Sequence, residues 1–175
     1  MRVGPVSAAL ACAALAAPAA ALEARFDHRD QSSLSVEPIL AYDSVAIPGR
    51  TTSSTWRPTL RLAYGWDLLG EGNELLLGAQ GRIGSWSDPE REEVLFAADA
   101  RYRAYFGTDQ WKTFFDLGAW VPIRSRLAIG PLVGIGFAYD YDRSGGFYLN
   151  GSFGTGFGEA RIASLAIGIG WQRRW

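Results

Sequence analysis

The chain is short of the residues that carry most catalytic and metal chemistry. Its 175 residues include one cysteine, one histidine and one methionine. The cysteine, Cys12, lies in an apolar leader. Once that leader is removed, disulfides, thiol catalysis and cysteine-ligated metals are excluded. A surplus of either charge is also missing: 17 Lys and Arg face 18 Asp and Glu, for a net charge of −1. Without a basic stripe there is nothing to hold a phosphate backbone, so no nucleic-acid partner is expected. No phosphate-cradling loop or metal-ligand cluster is present, so no cofactor is expected either. After the leader no apolar run reaches the roughly 18 residues that a membrane helix needs, which excludes a helical membrane protein.

What is present is glycine (21 residues) and aromatic side chains (13%) at a mean hydropathy of −0.01. That average looks soluble. It is equally the average of a transmembrane barrel, in which lipid-facing and lumen-facing residues alternate and cancel.

The first 21 residues read as targeting sequence. Arg2 supplies a positive start, an Ala-rich apolar run follows, and Ala19, Ala20 and Ala21 offer a small-residue cleavage site. The pattern predicts a secretory signal cut after Ala21, in preference to an uncleaved anchor, because alanine is a weak membrane residue. Lipoprotein processing at Cys12 is disfavoured by Ala9 three residues before it. Residues 22–33 are polar and without period, and predict a solvated lead-in. They hold Asp27, His28, Asp30, Ser32 and Ser33, the residue types of a Ser-His-Asp triad. Neighbours this close in sequence do not make the required relay of nucleophile, base and orienting acid.

From residue 34 onward the apolar side chains recur every second position, which is the signature of strands and not of helices. Residues 56–67 show it best: Trp56, Pro58, Leu60, Leu62, Tyr64 and Trp66 share one face, Arg57, Thr59, Arg61, Ala63, Gly65 and Asp67 the other. In 94–106, Val94, Phe96, Ala98, Ala100, Tyr102, Ala104 and Phe106 oppose Asp99, Arg101, Arg103 and Tyr105. An outward Arg at a bilayer midplane costs roughly 2–4 kcal/mol, so charges confined to one parity imply lipid on the other. Six further stretches, 34–42, 75–85, 111–121, 126–139, 147–157 and 161–175, follow the same rule. Pro38 predicts a bulge and Pro131 a bulge or a kink. Polar connections are expected at 43–55, 68–74, 87–93, 107–110, 122–125, 140–146 and 158–160. As outer-face connections 122–125 and 158–160 are short, and 140–146 is long for the opposite side.

Eight strands of this length must close, because lipid offers backbone groups no hydrogen bonds. The expectation is an all-β, closed antiparallel up-and-down transmembrane barrel over residues 34–175. Parity alone leaves a soluble lipocalin-like barrel as the alternative. The inner face is uneven. The first five strands supply Glu37, Arg57, Arg61, Arg82, Asp99, Arg101, Arg103 and Asp116, together with Asp67 and Lys112, while the last three supply mostly Gly, Ala and Ser. Long charged side chains from one half are predicted to reach a small-residue wall on the other and to pair, since charges of mixed sign in a low dielectric must.

With its leader, alternating strands and aromatic last strand, the chain resembles the small eight-stranded bacterial outer-membrane β-barrel family, the OmpA/OmpX type. The resemblance implies outer-membrane lipid as surroundings and the barrel-assembly machinery as a partner. That machinery would read a terminal signal, matched here by Ile167, Ile169, Trp171 and Trp175 and departed from at Arg173. The implied role is non-enzymatic, structural or surface-interacting, with an extracellular partner expected at 43–55 and 87–93. A narrow channel and a lipid-modifying enzyme are the alternatives. The enzyme is disfavoured because the sole histidine, His28, precedes the first strand.

Overall fold

The computed structural model describes Phe26 and residues 28–68, 70–83, 94–107, 109–123 and 127–175. The expected leader (1–21) and the charged segment 87–93 lie outside the described residues. Eight strands follow one another: β1 (Ser32–Ala46), β2 (Ser53–Asp67), β3 (Glu74–Arg82), β4 (Phe96–Phe106), β5 (Trp111–Ile123), β6 (Ala128–Asp142), β7 (Gly145–Gly158) and β8 (Arg161–Arg174). Each pairs antiparallel with the next, and β8 pairs with β1, so the sheet closes and has no edge. No described helix is long and apolar enough to cross a membrane.

The closure is staggered. Starting at Ser33, successive partners are Gly65, Leu76, Arg101, Gly118, Leu132, Gly154 and Ser164, and the path returns to β1 at Asp43, ten residues further on. Such a stagger tilts the strands, and with eight of them leaves an interior that side chains can fill. Call the end where β1 begins and β8 finishes the terminal end, and its opposite the far end.

The two faces follow the alternation of the sequence. Leu60, Leu62, Ile135, Ile167 and Ile169 point outward and are exposed, while Arg61, Asp99, Arg101, Arg103 and Asp116 point inward and are buried. Hydrophobic side chains outside and charges inside form an apolar belt that only lipid can cover. Aromatic pairs mark its rims. Tyr64 contacts Trp66 and Trp175, and Trp111 contacts Tyr139, at the terminal end; Tyr42 contacts Trp56 at the far end. These are the positions of interfacial girdles.

Several expectations are corrected. The first hairpin is taller than 34–42 and 56–67 implied: β1 and β2 remain paired up to Val45 and Ser53, so only 47–52 connect them. Asp43 is thus a strand residue and fully buried, not part of a loop. The expected polar connection 140–146 shrinks to residues 143–144, because Asp142 accepts bonds from the backbone N–H of Ser144 (2.7 Å) and from its hydroxyl (2.6 Å), which turns the chain tightly. The long turn on the terminal side disappears with it. Neither proline makes a bulge. The β1–β8 register is the same at Val36–Trp171 and Ile39–Gly168, and the β6–β7 register the same at Ile129–Phe157 and Leu132–Gly154. Pro38 and Pro131 simply leave a rung of the ladder unfilled, since they lack an N–H to give. The register shift falls instead between Asp140 and Asp142. Val94 does not face lipid: it precedes β4 and is fully buried.

Candidate functional site: the lumen

The inward side chains fill the barrel in three layers. At the far end Val45, Val94, Ala97, Trp120, Ala128, Leu132, Ala160 and Ile162 pack into an apolar cluster, with Ile47 against it. They come from the ends of β1 and β5, from the starts of β4, β6 and β8, from the stretch just before β4, and from the β7–β8 turn. Trp120 lies over Gly154, where a Cβ would stand 3.1 Å from the indole. Beside this cluster Arg57 donates to Asp43, which also accepts from the Ser164 hydroxyl at 2.6 Å.

The middle layer is ionic. Arg61 donates to Asp99 twice (2.6 and 2.9 Å) and to Glu37 (3.2 Å). Arg101 also donates to Asp99, at 2.7 Å, and lies 3.7 Å from Asp116; Arg103 grips Asp116 with two bonds of 2.7 and 2.8 Å. Glu37, Arg61, Asp99, Arg101, Asp116 and Arg103 therefore form one chain of alternating sign. Three carboxylates balance three guanidinium groups, so the layer is neutral and each charge is hydrogen-bonded, the condition under which buried ions are tolerated. Glu37 takes further bonds from the Tyr148 hydroxyl and the Asn150 amide, both at 3.2 Å. Arg82 stands half-buried at the end of β3 beside Thr59, nearer the far end, and not in this chain. Asp67 faces neither: it ties the lead-in to the β2–β3 turn, accepting from the backbone of Asp30 (2.8 Å) and Gly72 (3.0 Å).

The small-residue wall does less for the charges than expected. Gly136 leaves room for Phe114 and Gly170 for Tyr148, and Arg103 sits over both rings, 3.9 and 4.8 Å from their centroids. Gly134 and Gly168 adjoin Asp116 and Glu37. Aromatic side chains fill the wall as much as ions do, because inward Phe114, Trp120 and Tyr148 already occupy that side.

The terminal end holds the layer that sequence reasoning missed. Two residues of the expected solvated lead-in are not solvated: Phe26 and His28 are buried in the mouth, while Arg29 and Asp30 are exposed. His28 Nε2 lies 2.7 Å from Asp140 and 3.2 Å from Lys112 Nζ, and Lys112 donates to Asp140 (2.5 Å) and to the carbonyl of Phe26 (2.8 Å). Arg174 donates to the other oxygen of Asp140 at 2.7 Å and to Gln172 at 2.9 Å, and Gln172 and Tyr105 both donate to Glu74. Burial, aided by Arg174 and Lys112, holds the imidazole below its ordinary range despite the pull of Asp140. The partner of His28 is thus a carboxylate 112 residues away, not its neighbours Asp30, Ser32 or Ser33. One available signal was the inward parity of Glu74, Lys112, Asp140, Gln172 and Arg174.

Between the ionic and apolar layers a cavity of about 10 Å³ remains, bounded by Arg101, Gln80, Ser152 and Ser164 among others. That is at the lower limit of what one water molecule needs, roughly 10–15 Å³. The expected terminal signal residues Ile167, Ile169, Trp171 and Trp175 all face outward on or beyond β8. Trp175 closes the seam by exchanging two backbone bonds of 3.1 Å with Ser32.

The closed eight-stranded barrel with a lipid belt and a polar core is the fold of the small outer-membrane β-barrels. Two solved structures show the likeness. The outer membrane protein OprG from Pseudomonas aeruginosa superposes with a TM-score of 0.57 at 11% identity, over 85% of this chain and 98% of its own. Neisserial surface protein A (NspA) gives a TM-score of 0.51 at 12% identity, over 78% and 95%. No family model matches the chain, and no curated protein matches it in sequence.

Proposed function

We propose that the chain is a resident of the bacterial outer membrane that neither conducts solutes nor catalyses a reaction. Its role is structural or is exerted by the surface at its far end. The observation that carries this reading is the filled lumen: an apolar cluster, a neutral ionic chain and a charged cluster with an inserted lead-in stand one behind another. A solute would have to displace all three. The outer-membrane assignment is supported by the lipid belt, the girdles and the shared fold. An even number of strands places both termini on one side, the periplasm in such barrels. The far end is then outside, in keeping with the longest connection between strands, residues 83–95. The extracellular partner surface proposed at 43–55 narrows accordingly to the connection 47–52, since 43–46 and 53–55 are strand. An acyl-transfer role is disfavoured because the one histidine is buried and held by Asp140 and Lys112, with no access for a substrate.

Planar-bilayer recording tests the reading. Wild-type protein and Arg101→Met are both expected to be silent. Stable unitary currents from the wild type, altered by Arg101→Met, would establish a channel instead.

A further inference from the structure

A silent barrel has no need of a lead-in inside its mouth, yet Phe26 and His28 are only 4% and 3% exposed. The segment gets there by a sharp reversal. Asp30 has a φ of 57°, a left-handed conformation that Asp tolerates better than most residues. The next residue is fixed in the wall, since Gln31 accepts from the Asp67 N–H at 3.0 Å, and Asp30 itself donates to the Asp67 carboxylate. Asp30 is therefore a hinge with a firm base, and the contacts described for Phe26 and His28 before it are made with the mouth.

That hold depends on the protonation state of one ring. The charged and titratable groups facing His28 come from five strands: Glu74 on β3, Tyr105 on β4, Lys112 on β5, Asp140 on β6 and Arg174 on β8. Among the described residues Glu74 and Asp140 balance Lys112 and Arg174, so a proton on His28 tips that set to a net positive charge. A proton on His28 adds an unbalanced charge 3.2 Å from the Lys112 ammonium in a place closed to water. Lys112 also holds the carbonyl of Phe26, so any retreat of its ammonium from a charged ring loosens both contacts at once.

We propose that the segment carrying Phe26 and His28 is a proton-released latch, seated in the terminal-end mouth while His28 is neutral and swung out about Asp30 when His28 is protonated. The docked histidine binds its proton less readily than the free one. Docking strength is therefore complete above the ordinary histidine value of 6.5 and is lost as the pH falls through that value towards the docked one. One linked proton weakens docking by at most about tenfold per pH unit over that window. Release uncovers a vestibule lined by Asp140, Lys112, Arg174 and Glu74 but leaves the ionic and apolar layers beyond it in place.

The test is nuclear magnetic resonance of the full mature chain in lipid nanodiscs. As the chain has one histidine, its imidazole signal needs no assignment. At pH 8 the signal should be shielded from a water-soluble gadolinium chelate. It should titrate with a midpoint below 6.5 and be broadened by the chelate at pH 5. Hydrogen exchange of the N-terminal peptide should rise at pH 5, after correction for intrinsic rates, in the wild type and not in His28→Gln. A heat-modifiable gel shift in both proteins confirms closed barrels. An imidazole already reached by the chelate at pH 8, one still shielded when charged, or pH-dependent exchange in His28→Gln would overturn the proposal.

Discussion

Arg61 of β2 reaches over β3 to bind Asp99 of β4 through both of its carboxylate oxygens, and it does so across Gly78, where a Cβ would stand 2.7 Å from the guanidinium. The missing side chain on β3 is what lets two strands that are not neighbours be joined. Asp99→Ala leaves Arg61 and Arg101 short of their shared carboxylate and should destabilise the barrel by about 3–5 kcal/mol. Gly78→Ala should act in the same direction by pushing Arg61 off its seat. Urea titration of unfolding in lipid vesicles, followed by gel mobility, measures both. A loss under about 1 kcal/mol for Asp99→Ala would mean that the ionic layer is ornamental.

Gly170 and Tyr148 offer a sharper test of how the lumen is packed. All three nearest atoms to a Cβ at Gly170 belong to the Tyr148 phenol, the closest a ring carbon at 2.0 Å. Gly170→Ala should therefore cost stability in proportion to the displaced ring, and adding Tyr148→Ser should recover part of it. In a double-mutant cycle the pair should be less destabilised than the sum of the two changes, by about 0.5–3 kcal/mol. Strict additivity would show that the ring is not held where the structure puts it.

The lipid belt predicts a gradient. Ile135 lies at the middle of β6 and Leu127 at the far-end rim, and they are about equally exposed, at 64% and 65%. Exposure alone predicts the same outcome for both. Ile135→Arg should instead cost about 2–4 kcal/mol and Leu127→Arg about 0–1 kcal/mol in refolding into vesicles. Equal costs would point to a water-facing wall.

The seam predicts an effect on assembly. Trp175 is exposed, contacts Tyr64 and pairs with Ser32 through its backbone. Removing it should lower the amount of heat-modifiable barrel in the outer membrane several-fold, and Trp175→Phe should restore it. Pulse-chase membrane fractionation reads this directly, and a normal level for the deletion would speak against a terminal assembly signal.

What could be read from the sequence was whatever obeyed period two. The parity of β2 and β4 separated lipid-facing from lumen-facing side chains because one misplaced charge there is costly, so the pattern is clean. It failed where strands run past the membrane. Asp43, Ser44 and Ser54 look like a loop since polar residues occupy both faces, yet Asp43 is buried against Arg57 and Ser164. The same blindness hid Asp140, whose neighbours Asp142 and Ser144 make a genuine turn. The alternation of β4 does not reach Val94, which stands two residues before the strand begins. His28 was missed for a different reason. Local sequence holds no trace of a partner on β6, and a polar lead-in gives no sign of folding back.

The cluster that receives His28 also carries information about time. Its members sit on β3, β4, β5, β6 and β8, so it does not exist until the run from β3 to β8, including the last strand, is in place. An unzipped or half-inserted intermediate has nowhere to seat the lead-in. Docking of Phe26 and His28 is thus a record that the final strand has arrived. A chain arrested during insertion would betray itself by Phe26 and His28 left open to added protease.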